Sequence, residues 1–172
     1  MAFYVNSSMI GVDLTQSQSS VAPTFGIGNI VHGNDGSIWQ YVQAATTVSA
    51  YSVIAISASG TANMATLTAL DNSSGGYQLA VSQFAFAPSE YGWVPVHGVG
   101  GPGGTFKVKV SGSVSAGLML YIGTASGNLS ITAATSGTIA GIAVVTAMDT
   151  ASTAVTAAPC ILTWPKARSL GQ

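Results

Sequence analysis

The side chains of this sequence that could transfer protons near neutral pH are few and widely separated. The histidines are His32 and His97, and neither lies beside a serine in a G-x-S-x-G segment, which the chain lacks. A serine nucleophile needs such a base within hydrogen-bond reach. We therefore predict that the chain is not an enzyme, with a hydrolase that uses one of these histidines kept as the alternative.

The five acidic residues also follow no catalytic or metal-binding spacing. Glycoside hydrolysis needs two facing carboxylates, and a metal site needs clustered His, Cys, Asp or Glu. Asp35 and Asp71 instead stand in turn sequences, and Glu90 follows the turn formers Pro88 and Ser89. Such acids commonly accept hydrogen bonds from nearby backbone amides. We expect no metal and no cofactor.

One glycine-rich segment matches the spacing of a nucleotide-binding loop. Residues 98–103 read G-x-G-x-x-G, a pattern that binds pyrophosphate only where a strand turns into a helix. Here Pro102 would break that helix, and the strand-like TFKVKV follows directly. The segment is predicted to be a loop without nucleotide chemistry.

Low charge is the main compositional feature of the chain. Charged residues make up 5% of it, hydrophobic residues 48%, and the net charge is −1. A free monomer usually depends on surface charge for solubility, so the composition favours a protein packed against neighbours over an ordinary monomeric β domain. Four basic residues are too few for a nucleic-acid footprint, and no apolar run is long enough to span a membrane.

The chain ends and the cysteine content bear on the compartment. The N-terminal sequence MAFYVNSSMIGVDLTQ has no basic region and carries Asp13, so it does not resemble a secretory signal. The single Cys160 cannot form an intrachain disulfide, which suits synthesis in a reducing cytoplasm.

Short runs of β-branched and aromatic residues, bounded by Gly, Ser, Asn and Asp, predict an all-β fold. We expect a compact β-barrel or β-sandwich, with a jelly roll as one candidate topology. The β domain is predicted over residues 25–165, with a C-terminal tail over 166–172. Residues 1–24 are predicted to be an extended N-terminal arm that either docks on a neighbour or frays; its apolar residues are Phe3, Tyr4, Met9 and Ile10.

Two segments resemble each other and suggest an internal repeat. Residues 48–60, VSAYSVIAISASG, are similar to residues 114–127, VSAGLMLYIGTASG, with Ser49 and Ser115 standing 66 positions apart. The similarity predicts that one supersecondary unit is used twice, as in a pseudo-symmetric barrel or sandwich.

The stretch GGYQLAVSQFAFAPSEYGWVPVHG over residues 75–98 is predicted to be a bent hairpin. Large residues change from odd to even positions after Ser82, which requires a bulge or a bend. Pro95 cannot donate to a ladder, so the return strand is either an edge strand or bulged there. We interpret Tyr91 and Trp93 as candidate interface residues on that strand.

Lys107 and Lys109 alternate with Phe106, Val108 and Val110, which places both lysines on one strand face. They guard an edge against aggregation, or they pair with acids of a partner, and we include them as candidate interface residues. A second function is also open, because sugars stack on exposed aromatic rings; the candidates for such rings are Trp39, Tyr41, Tyr91 and Trp93.

Several segments together resemble the decoration, or cement, proteins of tailed-bacteriophage capsids. Residues 33–44 fit G-x-DGS-x-W-x-YV-x-A, and residues 81–98, VSQFAFAPSEYGWVPVHG, fit the central AFA…YGWV pattern of that family. A closing strand over 142–147 and the ending Trp164-Pro165 complete the likeness, which spans about residues 25–165. The arm and the loop over 99–105 depart from it.

The resemblance implies a structural virion protein made in the bacterial host cytoplasm. It would bind the outer surface of the capsid, bridge major capsid subunits and stabilise the shell. Its partners would be the major capsid protein and itself, as a homotrimer or alternatively a homodimer. The alternative function is a virion-displayed β module that binds carbohydrate or a host surface.

Overall fold

The computed structural model describes residues 13–14, 17–18, 22–66, 78–99, 105–117, 120–123, 127–130, 138–145 and 155–168. The predicted all-β class is confirmed, because these residues contain strands and no helix. The strands are β1 Ile30–His32, β2 Ile38–Ala44, β3 Val53–Ile56, β4 Thr61–Met64, β5 Gln78–Val81, β6 Tyr91–Gly98, β7 Phe106–Ser111, β8 Leu120–Ile122, β9 Leu129–Ser130, β10 Thr138–Val144 and β11 Val155–Arg168.

A tight turn joins β1 to β2, as its residues predict. Gly36 has φ 79°, a conformation that glycine adopts without steric cost. The carboxylate of Asp35 accepts hydrogen bonds from the backbone N and the hydroxyl of Ser37. The turn sequence therefore fixes the antiparallel register of β1 on β2, in which Ile30 faces Gln40.

Ten strands form two units of five with the same strand order. In the first unit the order is β6-β2-β4-β3-β5, and in the second it is β11-β7-β9-β8-β10. Each unit has one parallel pair, β2 with β4 and β7 with β9, next to an antiparallel hairpin. The predicted repeated unit is thus confirmed, and it extends well beyond the two similar segments.

Matching residues of β2 and β7, β3 and β8, β4 and β9, and β6 and β11 stand 66 or 67 positions apart. Ala44 faces Ala62 across the first parallel pair, and Val110 faces Leu129 across the second. Tyr51 and its counterpart Gly117 both have positive φ, 61° and 78°. The turn before each hairpin therefore uses the same backbone conformation, although only one of them carries a glycine.

The long strand β11 takes part in both units. Its first part pairs with β7 and β10, which closes the second unit into a ring of five strands. Trp164 has a positive φ of 52°, and the register of β11 on β10 shifts near this residue. Before Trp164, β11 pairs with β6, and after it β11 pairs with β5. The strand continues to Arg168, three residues past the boundary predicted for the β domain.

The strands enclose two apolar clusters. Alternate strand residues of the first unit, including Val42, Ile54 and Val94, fill one of them together with Phe86. The other cluster fills the second unit and continues between the units, where the ring of Trp39 meets Phe106 edge-on at 5.5 Å. Burial of these side chains is the main stabilising contribution to such a fold.

The expected hairpin over residues 75–98 is wrong. β5 pairs with β3 and β11, whereas β6 pairs with β2 and β11, so no ladder joins the described residues of β5 directly to β6. The turn itself forms: the carboxylate of Glu90 accepts a hydrogen bond from the N–H of Ala87. The bulge expected at Pro95 is present, because Trp39 faces Pro95 while Ile38 faces His97.

Candidate functional site

The aromatic residues predicted to lie at a surface are buried inside the chain. Trp39, Tyr41 and Trp93 are at most 1% exposed, and Tyr91 is 8% exposed. Alternation correctly placed Tyr91 and Trp93 on one strand face, but the chain itself covers that face. Both residues are therefore corrected from candidate interface residues to core residues, and the ring surface proposed for sugar stacking is absent at these positions.

The described part of the predicted arm provides this cover. The backbones of Gln18 and Tyr91 exchange two hydrogen bonds, and the hydroxyl of Tyr41 donates to Gln18 Oε1 at 2.5 Å. Leu14 is 1% exposed, and the ring of Phe25 packs against those of Tyr41 and Trp93. Burial raises the pKa of the Tyr41 phenol. The arm candidates Phe3, Tyr4, Met9 and Ile10 lie outside the described residues.

Lys107 and Lys109 occupy the outward face of β7, as predicted. Lys107 is exposed and Lys109 is half-buried, while Phe106, Val108 and Val110 are buried beneath them. The Lys107 ammonium lies 5.8 Å from the centre of the Tyr51 ring, within the range of a cation–π contact. The first unit therefore helps to position a cation that belongs to the second.

The lysines border a larger sheet surface, which we call the outer face of the second unit. Across β11, Lys107 faces Pro159 and Lys109 faces Ala157. On the far side of β11, Ala143 faces Ile161, and the N–H of Val145 donates to the carbonyl of Pro159. Opposing residues share a sheet face, so this face consists of Lys107, Lys109, Ala143, Val145, Ala157, Pro159 and Ile161.

Three of the five large apolar side chains that are exposed in the described residues lie on or beside this face, and the other two, Ile27 and Ile30, lie before and on β1. Val99 is 54% exposed, Val145 is 46% exposed and Trp164 is 40% exposed. The ring of Trp164 stacks on that of His97 at 6.0 Å, where β11 passes β6. Alternation along the strands could have predicted that residues 143 and 145 share one face, as do residues 159 and 161. It could not have predicted that this face is exposed, because no sequence signal shows which face of a strand is covered by the rest of the chain.

The groups considered for catalysis that lie in the described residues have the following surroundings. His32 is exposed at the end of β1, His97 stacks on Trp164, and Glu90 caps a turn. The Cys160 thiol is buried, which raises its pKa from 9.0 to about 12 and removes its nucleophilic form at neutral pH. Among the described residues, no three His, Cys, Asp or Glu side chains are grouped to hold a metal.

No family model, curated protein or solved structure matches this chain. In the part of the chain that the structure describes, no helix has the length and apolarity to cross a membrane. The outer face of the second unit is therefore the candidate functional site, on the evidence of its geometry and composition.

Proposed function

We propose that this protein is a structural component of a tailed-phage virion that binds the outer capsid surface and stabilises the shell. The observation that carries the proposal is the exposed apolar face bordered by Lys107 and Lys109, in a chain with so little other charge. Exposed apolar patches with polar borders commonly mark protein interfaces. The motif resemblance of residues 33–44 and 81–98 to capsid decoration proteins supports the same function.

The two-unit fold also suits a bridging role. A closed ring leaves few open strand edges, and closed or covered edges limit uncontrolled aggregation. A folded clamp that binds in many copies stabilises a lattice through avidity, with each contact burying about 1,000 Å² or more. The proposed partners are the major capsid protein and further copies of this chain, as a homotrimer or alternatively a homodimer.

The structure does not support the alternative that this protein binds carbohydrate through these rings. It required exposed rings, and the four rings on which it rested are buried. Trp164 is exposed, yet one of its faces already stacks on His97. We therefore do not propose a sugar-binding surface.

Co-sedimentation tests the proposed function. Purified protein is mixed with expanded, undecorated capsids of the phage that encodes it, and the capsids are pelleted. We expect saturable retention in the pellet and a higher temperature of capsid disruption. Protein that remains in the supernatant at every concentration, as it does without capsids, would refute the proposal.

A further inference from the structure

The exposed outer face of the second unit has an equivalent face in the first unit, and other residues of the chain cover that equivalent face. The 66-position correspondence that matches Ala44 to Val110 extends to β6 and β11, because β2 pairs with β6 as β7 pairs with β11. On the outward face, Tyr41 thus corresponds to Lys107, Tyr91 to Ala157 and Trp93 to Pro159. The two outer faces are equivalent positions of one repeated scaffold.

In the first unit this outer face is covered by described residues that precede β1. Gln18 bonds to the edge of β6, Leu14 is buried, and the side-chain oxygen of Gln18 accepts the hydroxyl hydrogen of Tyr41. The covering residues therefore supply the apolar ring of Phe25 together with one hydrogen-bond acceptor aimed at position 41. The acceptor is Gln18 Oε1, and it binds the hydroxyl donor that Tyr41 presents on this face.

In the second unit the same position presents a different donor. Lys107 replaces the phenol with an ammonium group, and Lys109 adds a second one close by. Ammonium groups are matched best by carboxylates, which form charge-assisted hydrogen bonds. The smaller residues Ala157 and Pro159, in place of tyrosine and tryptophan, leave room for a partner's apolar side chains above the sheet.

We propose that the outer face of the second unit binds a segment of a different polypeptide that carries apolar residues and at least one carboxylate directed at Lys107 and Lys109. This inference rests on the proposed function and names the chemistry of the capsid contact. Of the acids that the structure describes, Asp35 and Glu90 bind their own turns and Asp13 also has an interaction within the chain, so these carboxylates of a second copy are already engaged. The arm residues before Asp13 include no acid.

The test compares two variant pairs of equal charge change in the capsid co-sedimentation assay. Lys107→Gln with Lys109→Gln removes two positive charges from the face. Thr46→Glu with Ala58→Glu adds two negative charges at exposed positions of the first unit. We expect the lysine variant to bind capsids about tenfold more weakly and the control to bind like the wild type.

A second pair of variants, one at Val145 and a control at Ile30, tests the apolar part of the face. Val145 directly follows β10 of the second unit and is 46% exposed, and Ile30 lies on β1 and is 47% exposed. We expect Val145→Asn to weaken capsid binding several-fold and Ile30→Asn to leave it unchanged. Raising the salt concentration from about 0.05 to about 0.5 M is expected to weaken wild-type binding and to affect the lysine variant less.

The outcomes separate the two proposals. Wild type that does not bind capsids overturns both of them. Wild type that binds, together with lysine and Val145 variants that bind equally well, overturns the inference and leaves the proposed function standing. If these variants instead dissociate an oligomer of this chain in analytical ultracentrifugation, the face joins copies of the protein, and the inference of a different polypeptide is wrong.

Discussion

The side-chain amide of Gln83 takes the place of a neighbouring strand beside Lys107. Its Nε2 donates to the Lys107 carbonyl and its Oε1 accepts from the Lys107 N–H, both at 3.0 Å. Gln83 is only 4% exposed, so these bonds are shielded from water. A loop of the first unit thereby satisfies the backbone of β7 and fixes the strand that presents both lysines.

Replacing Gln83 by leucine is expected to lower the free energy of unfolding by about 1 to 3 kcal/mol, because two backbone groups lose their partner. Urea denaturation followed by tryptophan fluorescence measures the change. Thr46→Val serves as the control, since its bond to Asn63 is exposed, and it should cost under about 0.5 kcal/mol. If both substitutions lower the free energy of unfolding by the same amount, the buried Gln83 bonds stabilise the fold no more than the exposed Thr46 bond does.

The burial of Leu14 predicts that the arm stabilises its own domain. We expect Leu14→Ala to lower the free energy of unfolding by about 2 to 4 kcal/mol, because it leaves a cavity in the core cluster to which Leu14 belongs. Ile30→Ala, at a position that is 47% exposed, should have little effect. A Leu14→Ala protein as stable as the Ile30→Ala control would contradict the docking of the arm in solution.

Much of the fold could be predicted from the sequence, because strand runs and turn residues are local signals. The turn at Asp35, the lysine face of β7 and the repeated Val-Ser-Ala segments were all readable in this way. The pairing of β5 and β6 was not, since alternation shows which residues share a face but not which strand lies alongside. For the same reason the burial of Trp93 and the exposure of Val145 required the structure.

Left-handed backbone at Ser89 predicts a stabilising substitution. Ser89 is exposed with φ 67°, a region that costs a non-glycine residue about 1 kcal/mol. Ser89→Gly should therefore raise the free energy of unfolding by about 0.5 to 1 kcal/mol. The reverse change, Gly36→Ala at φ 79° with open space around it, should lower it by a similar amount. Thermal unfolding measures the stability of both variants. A Ser89→Gly protein that is less stable than the wild type would contradict the claim that the backbone of Ser89 is strained.

The buried thiol of Cys160 predicts a definite pH dependence. Its pKa rises from 9.0 to about 12 on folding, so the unfolded chain loses this proton first. The contribution to stability is complete below about pH 9 and is lost as the pH rises towards 12. We expect a thiol reagent at pH 8 to label the native protein only at its rate of unfolding, and to label the denatured protein at once. Fast labelling of the native protein would show that the thiol is accessible.

The central claim is that this chain is a structural protein of the outer capsid surface, and a cryo-electron density map of the virion tests it most directly. The account predicts an outer layer of density into which the two-unit fold fits, with the face of Lys107, Lys109 and Val145 turned towards the major capsid protein. A virion map whose outer surface contains no density for this fold would contradict the account.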